Sequence, residues 1–192
     1  MITKDEFIAL YQEHITRRGA DKLLDWMGKA DFFTAPASTR YHLACAGGLM
    51  EHSAHVYNRL RQLAMAEYPD GCPYSEETLA VCGLLHDLCK VNFYKEDTRN
   101  VKENGVWVQK PYYTVDEQLP YGHGEKSVFI IERFMRLSLE EAIAIRFHMG
   151  GFDARPGDNS VSVAFERYPL AILLHLADLQ ASYLDEAREN EQ

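Results

Sequence analysis

His86 and Asp87 are adjacent in a stretch that is otherwise apolar, Ala80-Val81-Cys82-Gly83-Leu84-Leu85. A carboxylate buried there without a partner would cost several kcal/mol, roughly 2–7 or more, so something must satisfy Asp87. Neighbouring positions on a helix point about 100° apart, and the imidazole and the carboxylate can therefore reach one cation from two sides if other helices supply further ligands. His52 and Asp178, each on a segment with an apolar side, are the natural candidates. Any one of these histidines taken alone is more simply a satisfied core or surface residue. The set is different, because neutral imidazole nitrogen with carboxylate oxygen suits Mn, Fe, Ni, Co or Zn and needs no thiolate.

The elements that must carry these residues are mostly helical. Thr3 and Glu6 read as a capping box for a first helix through Phe7, Leu10, Tyr11 and Ile15 toward Gly19, and a second helix is expected from about Asp21 to Lys29. An irregular loop over 32–38 follows. A long helix from about Gly48 to Glu67 ends at Pro69, Gly71 and Pro73, and Ser75 caps the next, which the spacing carries through Leu85 and past His86-Asp87. On that continuous helix Lys90, four after His86 and three after Asp87, projects from a similar side.

Between Phe93 and Tyr121 the pattern changes. Val106-Trp107-Val108 and Tyr112-Tyr113-Thr114 favour strand, and Asn104-Gly105 is the preferred centre of a tight turn, which predicts an inserted β-hairpin. Its Tyr94, Trp107, Tyr112, Tyr113 and Tyr121 suggest an aromatic wall or lid over a substrate, with Tyr113 as a candidate contact. Helical spacing resumes after Gly124, Ser138 and Glu141 form a second capping box, a loop around Pro156-Gly157-Asp158 intervenes, and Pro169 opens a last helix to about Asp185.

The bulk properties narrow the class. At 192 residues with 46% apolar content the chain is expected to form one domain, 1–192, with a sizeable core. The charged start, Met1-Ile2-Thr3-Lys4-Asp5-Glu6, and the lack of a long apolar run suggest a cytoplasmic protein without a membrane partner. Cys45, Cys72, Cys82 and Cys89 form no Cys-x-x-Cys pair and read as reduced thiols. A formal charge of −9 disfavours nucleic acid and favours a small substrate over a long polymer, while the oligomeric state stays open.

Three segments together resemble the HD (His-Asp) superfamily of metal-dependent phosphohydrolases: Gly47-Gly48-Leu49-Met50-Glu51-His52-Ser53, then Gly83-Leu84-Leu85-His86-Asp87-Leu88-Cys89-Lys90, then Ala177-Asp178. They occur in the family's order, over about 41–182. The resemblance implies a mainly α fold, an HD-domain helical bundle with the hairpin over about 93–121 inserted, and metal ligands at His52, His86, Asp87 and Asp178. Binuclear members have two further histidines between the His-Asp pair and the last Asp, which places His123 and His148 as ligands to a second ion, with Asp87 bridging. One or two divalent transition-metal ions are implied.

The implied reaction is hydrolysis of a phosphate ester, with a nucleotide as the commonest kind of substrate, Asp87 at the metals and Lys90 holding the phosphate. Lys126, Arg146, His42 and the adjacent Arg40 are further candidates for substrate contact. His55 and His175 share helix faces with His52 and Asp178 and are expected behind the ligands or in the core, with His14 on the surface. The diiron oxygenases related to myo-inositol oxygenase share the same six-ligand pattern, so the ligands alone leave an oxygenase as the alternative.

Overall fold

The computed structural model describes residues 1–153, 155 and 157–186, so Pro156 of the expected loop lies outside the described residues. Within them are eight α-helices and one two-stranded sheet: α1 (Lys4–His14), α2 (Ala20–Lys29), α3 (Gly48–Glu67), α4 (Glu76–Leu85), β1 (Tyr94–Glu103), β2 (Val106–Val115), α5 (His123–Glu132), α6 (Leu139–Phe147), α7 (Ser160–Arg167) and α8 (Pro169–Gln180). The fold is mainly α with one small hairpin, as the sequence patterns predict. Both capping boxes form, Thr3 with Glu6 and Ser138 with Glu141, and Ser75 caps α4 by accepting from the Thr78 N–H. None of the described helices is long and apolar enough to cross a membrane.

α8 is the axis of the bundle. Leu170, Ala171, Leu174 and Ala177 are buried along it, and it packs against both α3 and α6. α3 in turn packs on α4, and α5 on α6. Each of these two pairs approaches closely at a glycine: a Cβ on Gly83 would lie 2.4 Å from the Tyr57 Cα, and one on Gly124 would lie 2.2 Å from the Arg146 carbonyl oxygen. Only glycine permits such backbone contact, and it is what brings the ends of neighbouring helices to a common centre.

Two expectations need correction. The helix carrying His86 does not continue through Lys90: α4 stops at Leu85, Asp87 takes φ −106° and ψ 21°, and Leu88–Lys90 forms a 3-10 turn. The final helix likewise changes after Gln180 to a π-helical turn, Ala181–Asp185. Such turns redirect side chains that a regular helix would space too evenly. The hairpin is as predicted, with Tyr94↔Val115 to Glu103↔Val106 paired and the turn made by Asn104 (φ 50°) and Gly105 (φ 85°). Both positive φ values are those of a two-residue type I′ turn.

Arg17 ties the α1–α2 connection to the bundle, donating to Glu141 at 2.7 and 2.8 Å, while Glu77 accepts from the Thr16 and Arg17 backbone N–H groups. Glu141 is 1% exposed and Arg17 21%. Burial pushes the Glu141 carboxyl up, but the Arg17 and Ser138 hydrogen bonds outweigh it and hold it below the usual carboxylate range. This contribution is therefore present above the unfolded carboxyl pKa and lost as pH falls through the folded value. Arg17→Ala should cost about 3 kcal/mol near neutral pH, since it strands a buried carboxylate. Melting temperatures across a pH series should show the gap between wild type and variant closing below about pH 4; a gap independent of pH would contradict this role.

Candidate metal centre

Six side chains from five elements meet where the helix ends converge. His52 comes from α3, His86 and Asp87 from the end of α4, His123 from the first residue of α5, His148 from the end of α6, and Asp178 from α8. His52, His86, Asp87 and His148 are all buried. His123 and Asp178 are partly open to a cavity.

The way the imidazoles are tied down fixes which nitrogen is free. Both His86 and His148 follow the last residue of a helix, where backbone carbonyls lack intrahelical partners. His86 Nδ1 donates to the Gly83 carbonyl at 2.9 Å and His148 Nδ1 to the Ile145 carbonyl at 2.7 Å. His52 Nδ1 donates to Glu186 Oε1 at 2.9 Å. In each neutral ring the lone pair then sits on Nε2, and these Nε2 atoms face acceptors. His52 Nε2 lies 3.3 Å from His86 Nε2, 3.4 Å from Asp87 Oδ2 and 3.3 Å from Asp178 Oδ1. His86 Nε2 is 3.5 Å from Asp87 Oδ2, and His148 Nε2, which has no hydrogen-bond partner, is 3.4 Å from Asp87 Oδ1.

Lone pairs of nitrogen and oxygen aimed at one another repel unless a cation lies between them. Ligands at about 2.0–2.2 Å from a tetrahedral ion are separated by roughly 3.3–3.6 Å, and the distances above fall in or close to that range. The donor set therefore fits a divalent ion. Asp87 divides the site: Oδ2 faces His52 and His86, while Oδ1 faces His148 and lies 2.8 Å from His123 Nε2.

The electrostatics point the same way. Burial pushes Asp87 up, yet Lys90 and the neighbouring histidines outweigh it and hold the carboxyl well below its ordinary range. Lys90 Nζ is 2.6 Å from Asp87 Oδ2. Asp178 is likewise lowered, chiefly by His52 against the effect of burial, and Glu186 is held at about 2 against burial by His52 and then His55. Three carboxylates thus gather at the centre, with one ammonium, Lys90, against Asp87. His52 is correspondingly raised well above its ordinary value despite its burial, by Glu186, Asp178 and Asp87, and His123 rises to about 9 despite burial, by its contacts with Cys89 and Asp87. Protons and a cation compete for the same lone pairs.

Asp87, Lys90, His123 and Asp178 form the polar floor of a cavity of about 770 Å³. Its walls are not those the sequence suggests. The lid expected from the hairpin is absent from the lining, and Tyr113 lies away from it; Tyr94 instead donates to the Ala37 carbonyl at 3.3 Å. The aromatic and apolar surface comes from Tyr41, Met149, Phe152, Leu179 and Tyr183. Lys126 is also elsewhere, its ammonium 2.7 Å from Glu117 and over the Phe93 ring. Arg146 pairs with Glu125 and Asp153 in a separate polar cleft, and Arg40, not itself in the lining, donates to the hydroxyl of Tyr41, which is. His42 does line the cavity, 5.0 Å between ring centroids from His52.

Two contributors escaped the sequence reading. Glu186, buried, receives both His52 and His55, and it sits in a stretch that reads as an acidic tail beyond the HD segments. Its signal was its position eight after Asp178, near the same helical face. Cys89 lies beside His123 and Asp87. His55 lies behind His52, between Glu51 and Glu186, whereas His175, expected behind the site or in the core, lines the cavity with its Nδ1 2.6 Å from the His148 carbonyl.

A helical bundle that gathers buried His and Asp lone pairs at the floor of a cavity defines a metal-binding protein. The family model for the HD domain matches residues 49–181, most of the chain, and the chain belongs to that family, whose members are metal-dependent hydrolases. No curated protein and no solved structure matches it.

Because Glu186 fixes the His52 ring with its free nitrogen inward, Glu186→Gln should weaken divalent-ion binding about 10–100-fold. Titration calorimetry with Mn or Zn, alongside circular dichroism to confirm unchanged helix content, measures this. Unaltered affinity would remove Glu186 from the site.

Proposed function

We propose that this chain is a phosphohydrolase acting on a small phosphate ester of nucleotide size, with one divalent ion held by His52, His86, Asp87 and Asp178 and a second by Asp87, His123 and His148. The observation that carries the reading is the division of Asp87, whose two oxygens face separate sets of imidazole nitrogens while Lys90 stands beside them on the cavity floor. Bound ions of this kind lower the pKa of a coordinated water and offset charge on phosphoryl oxygens.

The chain's own groups supply the rest. Lys90, 11% exposed and held charged by Asp87, gives a fixed ammonium where a phosphate would approach the ligands. It positions the ester and offsets its charge in both ground and transition states. His42 is pushed down to about 4, first by burial and then by His52 and Lys90, so it is neutral at physiological pH. Its Nε2 is buried without a partner, and as a neutral ring beside the floor it can exchange a hydrogen bond with substrate. The cavity falls within the roughly 300–1,000 Å³ typical of small-molecule sites. Tyr41, Phe152 and Tyr183, all exposed at its walls, offer flat apolar surface for the organic part of the ester, and a base suits them.

Lys90→Ala should leave metal content unchanged and lower kcat/KM on a cleaved phosphate ester by about 10², roughly 3 kcal/mol. The assay is phosphate release from a panel of nucleotides and phosphodiesters, run beside oxygen uptake with the iron-loaded, reduced protein. Oxygen uptake that depends on Lys90, with no ester cleaved, would overturn the proposal.

The walls give a second test. Phe152→Ala or Tyr183→Ala should raise KM for a nucleotide about tenfold, the loss of about 1.4 kcal/mol of stacking, while Tyr113→Ala should not. A KM that responds to Tyr113 and ignores Phe152 and Tyr183 would return the hairpin to the site.

A further inference from the structure

The second half of the centre contains a donor that a His-Asp ligand set does not require. Cys89 is 3% exposed, and its Sγ lies against the His123 ring, 3.3 Å from Nε2 and 3.5 Å from Nδ1, and 3.7 Å from Asp87 Oδ1, while His123 Nε2 and Asp87 Oδ1 are in hydrogen-bond contact at 2.8 Å. These three atoms make a compact triangle of sulfur, nitrogen and oxygen. Ligands at about 2.3 Å for sulfur and about 2.0–2.2 Å for nitrogen and oxygen around a tetrahedral ion put a sulfur edge at roughly 3.5–3.7 Å, so the edge to Asp87 already has that length and the edge to His123 lies a few tenths of an ångström short of it.

The sulfur is placed by the fold. Cys89 is the middle residue of the 3-10 turn that replaces the helix after Asp87, and its backbone N–H donates to the Ser127 hydroxyl of α5 at 3.0 Å. That bond clamps the turn to the helix that begins with His123. A regular α-helix through this point would set Cys89 about 200° around the axis from Asp87; the turn allows both side chains to face the same place. An independent observation marks that place as a ligand position. The His148 ring is fully buried, its Nε2 has no hydrogen-bond partner, and it points at Asp87 Oδ1, the same oxygen that His123 approaches.

We propose that Cys89 is a thiolate ligand of the second ion, completing a site of Asp87, His123, His148 and Cys89. The inference rests on the metal-centre reading above. On ligation the sulfur–hydrogen bond is exchanged for a sulfur–metal bond, and the proton leaves to solvent. A sulfur donor biases the position toward the softer divalent ions, Zn, Fe or Co, over Mn and Mg, whose preferred partners are oxygen. The two halves of the centre then differ in chemistry: the half around Asp87 Oδ2 has only nitrogen and oxygen donors, and the half around Oδ1 has sulfur as well.

The test uses the full-length protein loaded with Co alone. Wild type should show a near-ultraviolet sulfur-to-cobalt charge-transfer band that Cys45→Ser and Cys72→Ser retain and Cys89→Ser loses. X-ray absorption of the Zn-loaded protein should show a sulfur neighbour at about 2.3 Å in wild type only. Cys89→Ala and Cys89→Ser should also lower the preference for Zn over Mn at least about tenfold, with melting curves reporting whether each variant is folded. Metal bound with no sulfur signal in wild type, or a signal that survives in a folded Cys89→Ser, overturns the thiolate ligand and leaves the His-Asp centre standing. No binding of any divalent ion would overturn both.

Discussion

The constraint on which the rest of the structure depends is a carboxylate almost wholly withdrawn from water at the floor of a cavity. Asp87 is 2% exposed and is surrounded by the rings of His52, His86, His123 and His148, with Lys90 against one oxygen. Burying a charge without compensation costs more than a domain of this size can spare. One ammonium does not compensate a cluster that also holds Asp178 and Glu186. Protonated imidazoles or divalent ions must supply the remaining positive charge, and the ring nitrogens are oriented for ions: three of the four rings have Nδ1 committed to a backbone carbonyl or to Glu186, leaving Nε2 inward.

The architecture serves that arrangement. α3 and α4 meet at Gly83 and deliver His52 and His86 to one side of Asp87. α5 and α6 meet at Gly124 and deliver His123 and His148 to the other. α8 packs on both α3 and α6 and contributes Asp178, while its π-helical continuation carries Glu186 back beneath His52. Helix ends matter as much as helix faces. His86 and His148 both lie just past a last turn, and each satisfies a carbonyl that the helix leaves open, so chain termination and tautomer selection are one event.

Much of this is legible in the sequence because it is encoded locally. The capping boxes at Thr3 and Ser138, the Ser75 cap and the Asn104-Gly105 turn each depend on residues within a few positions of one another, and all appear as expected. Apolar periodicity places the helices that carry the clustered His and Asp residues. What was not legible depends on long-range contacts. Nothing in the spacing of Leu88-Cys89-Lys90 says that the helix will tighten after Asp87, since the turn is held by Ser127 nearly forty residues later. Glu186 reads as tail until α8 is seen to continue past Gln180. The aromatic residues of the hairpin outnumber those at the cavity, yet Phe152 and Tyr183, isolated in sequence, are the ones brought to it. Lys126 and Arg146 carry the charge a phosphate site wants, but Glu117, Glu125 and Asp153 already hold them.

The role of Asp87 as the group shared by both halves is tested most directly by counting metal. Elemental analysis of wild type, Asp87→Ala and His148→Ala after equilibration with excess Zn and gel filtration should give about two, none and about one ion per chain, since Asp87 faces both ligand sets and His148 only one. Retention of one ion by a folded Asp87→Ala protein, or a wild type that never exceeds one, would contradict the shared carboxylate.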